Sequence, residues 1–291
     1  MDLSSELSEF LRTRRARLKP QDVGLPEFGR HRRVPGLRRE ELAQLAGVSV
    51  AYYTRLEQGN GKNVSMEVLD SIARALRLSD TERAHLTHLA KPTVKKRQRA
   101  AAARPQKVRP GLAHLLEAME TVPAFVLGRR GDILAWNRMS RALFGDFDSW
   151  EPHERNMARM IFLDPNSRDL YPEWECKAVE VVSVLRLYAG MNPDDQELLS
   201  LVGELSVRSE EFRSLWAAHT VTDKGHGSKR VRHPLVGEMT LAYESLKVSG
   251  DDPDLMLVTY HAEPGSASAD ALRLLAQWGV DEPAKPADVP E

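Results

Sequence analysis

Residues 42–58 read Leu-Ala-Gln-Leu-Ala-Gly-Val-Ser-Val-Ala-Tyr-Tyr-Thr-Arg-Leu-Glu-Gln and are followed by Gly59. The pattern predicts two short helices, because apolar residues recur at three-to-four spacing on both sides of Gly47. Glycine readily adopts the positive φ that ends a helix, and Ser49 is a natural N-cap for the next one. Two helices joined by so short a turn are typical of a helix-turn-helix.

One side of these two helices is predicted to face a core and the other to face solvent. The core-facing residues are Leu42, Leu45, Val48, Tyr53 and Leu56. The outer face of the second helix keeps Val50, Ala51, Thr54 and Arg55. In a helix-turn-helix, the N-terminal residues of the second helix meet base edges in the major groove. These four residues are therefore predicted to contact base edges, and the Arg55 guanidinium suits the paired acceptors of guanine.

A second set of polar residues is predicted to contact phosphates, which position a protein on DNA without specifying its sequence. They lie at the helix starts, beside the outer face and in the loop after the second helix: Arg38, Arg39, Gln44, Ser49, Tyr52, Asn60 and Lys62. The competing interpretation of the whole segment is an amphipathic helix pair that packs internally.

The charge of the chain is divided unevenly along its length. Residues 1–110 carry 23 Lys and Arg against 12 Asp and Glu, whereas the remainder carries 18 against 30. A strongly basic part raises the local affinity for phosphates and speeds encounter with nucleic acid. The charge therefore favours double-stranded DNA as the partner of the first part and a different role for the second.

Composition excludes several classes of protein. Cys176 is the only cysteine, so a disulfide within the chain and a four-Cys zinc site are both excluded. The N-terminus lacks the apolar core of a signal peptide, and no run reaches the roughly 18 apolar residues of a membrane span. We expect a soluble cytoplasmic protein without membrane contact.

No catalytic, metal or cofactor site is predicted. The histidines of the second part, His219, His226, His233 and His261, form no recognisable nucleophile or metal signature. His85 and His88 have i,i+3 spacing, but without further ligands they favour a helix surface or a partly buried pair. The Gly-rich run at 224–232 lacks the strand-loop-helix setting of a phosphate loop and is predicted to be a mobile loop.

The predicted organisation is a DNA-binding domain over residues 1–90, a basic linker over 91–108, a second domain over 109–275 and an acidic, disordered tail over 276–291. Five helices are predicted in the first domain, which is all-α. Prolines and a shortage of large apolar residues mark the linker.

The second domain has a mixed pattern. Two apolar runs around residues 128–132 predict a β-hairpin, and Asn137 is placed to cap the helix that follows. Helical periodicity then returns over 179–216, and apolar runs at 237–243, 244–248 and 255–260 predict closing strands. The fold class is therefore α+β.

Residues 36–90 resemble the Cro/repressor-type (XRE) helix-turn-helix family. The segments that carry the resemblance are Leu37-Arg-Arg-Glu-Glu-Leu-Ala and Ala51-Tyr-Tyr-Thr-Arg-Leu-Glu-Gln-Gly59. The resemblance implies base reading by the four outer residues of the second helix and a phosphate contact by Arg39. The sequence departs from the family pattern at Arg38, which replaces the usual Thr or Ser cap, and in the loop at 60–64.

Residues 109–275 resemble the MmyB-like ligand-binding domain. The matching segments are 125–137, 143–146, 162–165, 201–205 and 233–237, and the strand-turn-strand-Asn-helix opening also resembles a PAS-type fold. The resemblance implies a transcription regulator whose PAS-like C-terminal domain senses a small apolar molecule, with fatty acids as the suggested ligand class. A homodimer is expected, since dimeric helix-turn-helix proteins bind two half-sites.

A set of aromatic and polar residues offers a candidate ligand site in the second domain. The set is Trp136, Phe144, Phe162, Trp174, Arg186, Phe212, Trp216 and His233, with Arg186 or His233 as partner for a carboxylate. Apolar walls with a few polar groups are typical of small-molecule sites. Any core needs the same residues, however. The alternative is that the second domain has a filled core and serves only dimerisation or docking of a protein partner.

Overall fold

The computed structural model describes residues 2–25, 36–61, 63–91, 106–222, 225–249 and 254–278. Contacts divide these residues into two compact units. Unit 1 comprises the described residues of 1–103 and 182–223, and unit 2 those of 104–181 and 224–291. The sequence-based division at residues 91–108 differs from this one, because 182–223 packs with the N-terminal helices.

Some predictions concern residues outside the described part of the chain. Lys62, most of the predicted linker and most of the predicted acidic tail fall there.

Five α-helices lie in the described N-terminal part, as predicted: α1 (Leu3–Arg17), α2 (Arg39–Ala46), α3 (Val50–Glu57), α4 (Met66–Ala75) and α5 (Asp80–Ala90). Three of them begin at serines whose side chains accept a hydrogen bond from a first-turn amide. Ser49, Ser65 and Ser79 occupy these N-cap positions. Such caps satisfy amide groups that have no partner inside the helix. The predicted Ser49 cap of α3 is confirmed.

The helices of unit 1 enclose an apolar core. Phe10, Leu42, Tyr53 and Ile72 are each fully buried in it. Leu45, predicted to face the core, is instead 36% exposed. The eight-residue α2 turns Leu42, Ala43 and Ala46 inward, and position 45 lies outside that stripe.

Two glycines end helices in the left-handed region. Gly47 has φ +66 and Gly59 has φ +88. A Cβ at Gly47 would meet nothing within 4 Å, whereas a Cβ at Gly59 would lie 2.4 Å from the Ser4 carbonyl oxygen. The end of α3 therefore packs directly against the start of α1.

The two glycines provide a graded test of this packing. Gly47→Ala should cost about 1–2 kcal/mol, the price of a left-handed alanine. Gly59→Ala should cost more, because α1 must also move. Urea unfolding followed by the helical circular-dichroism signal measures both losses. Equal losses at the two positions would contradict the close contact between Gly59 and Ser4.

The remaining elements are, in chain order, α6 (Pro110–Ala118), β1 (Ala124–Leu127), β2 (Ile133–Trp136), α7 (Arg138–Phe144), α8 (Met157–Leu163), α9 (Ser167–Leu170), α10 (Trp174–Met191), α11 (Gln196–Arg208), α12 (Glu210–Ala217), β3 (His226–His233), β4 (Gly237–Lys247), β5 (Met256–His261) and α13 (Ala267–Trp278). Unit 1 takes α11, α12 and the second half of α10 from this series. The predicted hairpin of β1 and β2 and the Asn137 cap are confirmed.

Unit 2 is built on a five-stranded antiparallel sheet in the order β2-β1-β5-β4-β3. On one face, Val126 and Leu257 pack with Leu112 and Leu116 of α6. Alternate residues point to the opposite face of a strand. The other face therefore carries Phe125 and, in register on neighbouring strands, Tyr243 and Tyr260.

The run at 224–232, predicted to be a loop, supplies most of β3 instead. Within this strand Val231 and His233 are buried while Arg230 and Arg232 are exposed. The alternation fits a sheet with one buried face, and exposed arginines suit an edge strand. The prediction was wrong because charged residues and glycine masked this two-residue period.

Several general features concern the described residues only. No helix among them is long and apolar enough to cross a membrane. They contain no group of three or more His, Cys, Asp or Glu side chains that could hold a metal ion. Cys176 lies exposed in the first turns of α10.

Candidate functional site

The residues predicted to meet base edges lie on the open side of α3. Val50 is 43% exposed, Ala51 and Arg55 are exposed, and Thr54 is half-buried. They begin in the first turn of the helix, which Ser49 caps by accepting from the Tyr52 amide at 3.1 Å. The start of α3 therefore offers a small apolar surface next to a cation.

Tyr52 and Arg55 are neighbours on this surface. The Arg55 guanidinium carbon lies 5.9 Å from the centre of the Tyr52 ring, and Tyr52 is half-buried against the core of unit 1. A cation over an aromatic face is favoured electrostatically. Tyr52 thus limits where the Arg55 side chain reaches.

The predicted phosphate-contacting residues are mostly exposed. Arg38, Gln44, Ser49 and Asn60 all face solvent. At the start of α2, the Arg38 amide donates to the Glu41 carboxylate at 2.6 Å, so Glu41 satisfies the amide of the N-cap residue.

A buried carboxylate at the end of α3 connects this helix to its neighbours, and the sequence analysis missed it. Glu57 is 2% exposed. Its Oε1 lies 2.7 Å from Arg15 Nε of α1 and accepts from the Tyr53 hydroxyl at 3.1 Å, and its Oε2 pairs with Arg39 of α2. One carboxylate thus joins α1, α2 and α3. The signal available in the sequence was weak: an acidic residue four positions after the core residue Tyr53.

The electrostatics of Glu57 follow from these partners. Burial alone would raise its pKa, but hydrogen bonds from Arg15 and Arg39 outweigh burial and the pKa falls below its usual value. Burial and the Glu57 charge raise the pKa of Tyr53, which keeps its hydroxyl as a donor. Arg39 is 48% exposed, so one edge of its guanidinium still faces solvent while the other is paired.

The structure places the eight candidate ligand residues in both units. Unit 2 contains Trp136, Phe144, Phe162, Trp174 and His233, and unit 1 contains Arg186, Phe212 and Trp216. In unit 2, the rings of Phe162 and Trp174 meet edge-to-face at 5.6 Å. In unit 1, the rings of Phe212 and Trp216 stack at 5.7 Å.

His233 is held as a neutral imidazole. Its Nε2 lies 2.9 Å from the Ala142 carbonyl oxygen and therefore donates, while Nδ1 accepts from the Leu235 amide at 3.3 Å. Burial lowers the pKa of His233. A neutral ring in this state offers no charge to a carboxylate.

Arg186 has partners within unit 1. The residue is 1% exposed, and its guanidinium pairs with Glu6 of α1 at 2.5 Å and donates to the Trp216 carbonyl. It also lies 3.0 Å from His219 Nδ1 and covers the Trp216 ring at 4.1 Å. Since a guanidinium only donates, Nδ1 of His219 accepts. Burial and Arg186 lower the pKa of His219 to about 3, which agrees with a neutral ring.

The two spaced histidines of α5 differ in environment. His85 is 1% exposed and meets the Phe10 ring edge-to-face at 5.2 Å, whereas His88 is half-buried. Burial lowers the pKa of His85 to about 3. His85 is therefore a neutral core residue beside a half-buried His88, which fits the predicted alternative of a partly buried pair and not that of a helix surface.

The helix-turn-helix with an open recognition helix defines the class: a DNA-binding protein with a second, sheet-containing unit. Residues 6–86 match the family model described as a helix-turn-helix domain. Residues 108–275, more than half of the chain, match the MmyB-like transcription regulator ligand binding domain, and the chain belongs to this family. No curated protein matches the chain. It is a ligand-responsive transcription regulator, and neither matched family is an enzyme family.

Part of the matched ligand-binding region packs with the N-terminal helices. Residues 182–223 lie inside the matched ligand-binding region but pack in unit 1. Besides the Arg186 pair, Arg14 of α1 donates to the His219 carbonyl and pairs with Glu82 of α5 at 2.8 Å. A segment of the ligand-binding region is thus built into the same unit as the helix-turn-helix.

Proposed function

We propose that the protein binds specific DNA sites as a homodimer, in the cytoplasm where its DNA lies, and that a small apolar, fatty-acid-like effector taken up by a PAS-like unit 2 regulates this binding. The observation that carries the DNA-binding part is the open first half of α3, fixed to α1 and α2 by Glu57. A rigidly held helix with an exposed Arg is suited to bidentate contact with guanine.

The roles of the α3 residues can be tested with Arg55→Ala. On DNA selected by the wild-type protein from a random library, the variant should bind roughly 10- to 100-fold more weakly, the effect of one lost bidentate base contact. On unselected DNA the loss should be small. Fluorescence anisotropy at fixed salt measures both affinities.

Arg12→Ala is the matched control for that experiment. Arg12 is an exposed cation of α1 that pairs with Glu9, outside the predicted interface. This variant should bind both DNAs nearly as the wild type does. If Arg55→Ala weakens selected and unselected DNA equally, Arg55 contacts phosphate and does not read bases.

The effector part of the proposal is supported by the aromatic face of the unit 2 sheet. The Phe125, Phe144 and Tyr260 rings lie 5.0–6.0 Å apart and form an apolar surface against α7. Fatty acids are the ligand class that the family resemblance suggests.

Mass spectrometry of an organic extract of the purified protein should show a bound acid. A protein that releases no molecule and whose melting temperature no fatty acid changes would favour the alternative, a dimerisation or docking module.

The dimer is proposed from the geometry of DNA recognition. Dimeric helix-turn-helix proteins place two recognition helices about one helical turn apart, which demands a palindromic site. Light scattering should therefore give twice the mass of one chain, and the selected DNA should contain two related half-sites. A single half-site bound by one chain would contradict the dimer.

A further inference from the structure

A buried cluster of charged side chains lies between α10 and the sheet of unit 2. Lys177 and Glu180 belong to α10, and Lys229 comes from β3. Lys229 Nζ lies 2.7 and 2.6 Å from the two Glu180 oxygens, and Lys177 Nζ lies 3.3 Å from Oε1. The side chains of Lys177 and Lys229 are 7% and 11% exposed. Two nearly buried ammonium groups therefore share one carboxylate.

The charge of this cluster is unbalanced. Burying a charged group without a counter-ion is costly, and such groups are normally paired or neutralised. Burial and the nearby Lys177 ammonium lower the pKa of Lys229 to about 7. The ammonium groups of Lys177 and Lys229 hold the pKa of Glu180 below its usual value despite its burial. With Lys229 protonated, the cluster carries two positive charges and one negative charge, so one further negative charge would make it neutral.

Two tyrosines beside the cluster have hydroxyl groups to which the described residues supply no hydrogen bond. Tyr171 and Tyr260 are 2% and 1% exposed as whole residues, yet neither hydroxyl oxygen is among the fully buried side-chain atoms that lack a partner. Both hydroxyls therefore keep some accessible area and can still donate a hydrogen bond. Lys177 Nζ lies 5.8 Å from the Tyr171 ring centre. After burial, the Glu180 charge contributes to the raised pKa of Tyr260. These donors therefore lie next to the unbalanced cations.

We propose that Lys177, Lys229, Tyr171 and Tyr260 bind the single carboxylate of an otherwise apolar small molecule. The inference rests on the proposed effector function and assigns the residues that recognise the acidic end of the effector. Ammonium and phenol groups are donors, and hydrogen bonds from such donors to a carboxylate are stronger than neutral ones. None of the four residues was among the ligand candidates from the sequence.

An apolar body fits the surroundings of this group of donors. Tyr260 contacts the Phe144 ring at 5.0 Å and the Phe125 ring at 6.0 Å, and Lys229 Nζ lies 4.4 Å from the Tyr243 ring centre. Tyr260 thus supplies one of the hydroxyl groups and also belongs to the aromatic surface. A ligand with its acidic group at Lys229 would extend its apolar part over these rings.

Binding of a carboxylate should be coupled to the uptake of one proton by Lys229. The titratable groups that face Lys229 are Lys177 and Glu180 of α10 and Tyr243 of β4. Tyr171, before α10, and Tyr260 of β5 face Glu180 in the same cluster. Above about pH 7 Lys229 is neutral in the free protein, and a bound carboxylate favours its charged form. Carboxylate affinity should therefore fall as the pH rises above 7, by up to about tenfold per pH unit.

The test compares octanoate with octanol on the full-length, ligand-stripped protein by calorimetry at about pH 7. Octanoate should bind at least roughly tenfold more tightly than octanol, because only octanoate completes the charge balance. Octanol binding should not change with pH. Inorganic phosphate serves as a further probe and should bind far more weakly than octanoate, since it lacks the apolar body.

Substitutions locate the effect. Lys229→Met and Tyr260→Phe should weaken octanoate binding by roughly 10- to 100-fold and roughly fivefold, respectively, and leave octanol binding nearly unchanged. Lys247→Met, which removes an exposed lysine of β4, is the matched control and should bind octanoate as the wild type does. If Lys229→Met does not fold, Tyr260→Phe and Tyr171→Phe retain the rings and carry the test.

Each contrary result has a distinct meaning. Unchanged octanoate affinity in Lys229→Met and Tyr260→Phe, or equal affinity for octanoate and octanol, overturns the carboxylate site. A neutral molecule that copurifies and alters DNA binding also overturns this site, but it leaves the proposed effector function intact. A protein that binds neither acids nor neutral molecules contradicts both.

Discussion

Glu57→Gln is expected to destabilise unit 1 by about 3–5 kcal/mol, the usual cost of breaking a buried ion pair from one side. The substitution leaves the largely buried Arg15 guanidinium without a counter-charge and releases Arg39. DNA affinity should fall as well, because α3 loses its connection to α1 and α2. Urea unfolding followed by circular dichroism measures the stability, and anisotropy measures the DNA affinity.

Glu40→Gln is the control, since Glu40 is an exposed carboxylate of the adjacent α2. It should change stability by less than about 0.5 kcal/mol. A small loss for Glu57→Gln, similar to that of the control, would show that the buried carboxylate does not hold the three helices together.

The same residue should make the stability of unit 1 depend on acidity. The folded pKa of Glu57 lies below its unfolded value, which is about 4.3 for a free glutamate. Its contribution is therefore complete above about pH 5 and is lost as the pH falls through the folded pKa. Glu57→Gln should reduce this acid sensitivity. An identical pH profile for the variant and the wild type would contradict it.

The second large effect is expected for Arg186→Met, again about 3–5 kcal/mol. The change leaves Glu6 largely buried without its cation and removes a donor from the Trp216 carbonyl. Residues 182–223 should then pack less firmly on α1, and their amide hydrogens should exchange faster. Hydrogen exchange with mass spectrometry locates the loss, and urea unfolding gives its size.

A double variant separates the pair from its neighbours. Glu6→Gln with Arg186→Met removes both charges, so the combined loss should be clearly smaller than the sum of the single losses. Arg208→Met is the control, since Arg208 is 58% exposed on α11. Additive losses in the double variant would show that Glu6 and Arg186 do not stabilise each other.

Local features of the fold could be predicted from the sequence because their signals are local. Ser49 and Asn137 cap helices as predicted, since a cap depends on residues within one turn. The helix-turn-helix and the first hairpin likewise follow from short periodic patterns. Leu45 shows where local signals fail. Its spacing is that of a core residue, but the packing around the two-turn α2 leaves its side chain exposed.

The charged contacts could not be predicted, because each joins residues far apart in the chain. Glu6 and Arg186 are separated by 180 positions, and Glu180 and Lys229 by 49. Neither partner carries a signal in its own neighbourhood. Lys229 was further obscured because β3 was predicted to be a loop. The base-contacting set and the ligand set stay predictions, whereas the exposure of α3 agrees with the role assigned to it.

The exposed Cys176 provides a single site for attaching a spectroscopic reporter. It is the only cysteine of the chain, and it directly precedes Lys177 on α10. A thiol-reactive dye would therefore attach at one position without any substitution, beside the proposed carboxylate site. Octanoate should change the emission of that dye, and the change should be absent in Lys229→Met. Effector binding and DNA binding could then be followed in the same sample, with the dye reporting the first and labelled DNA the second.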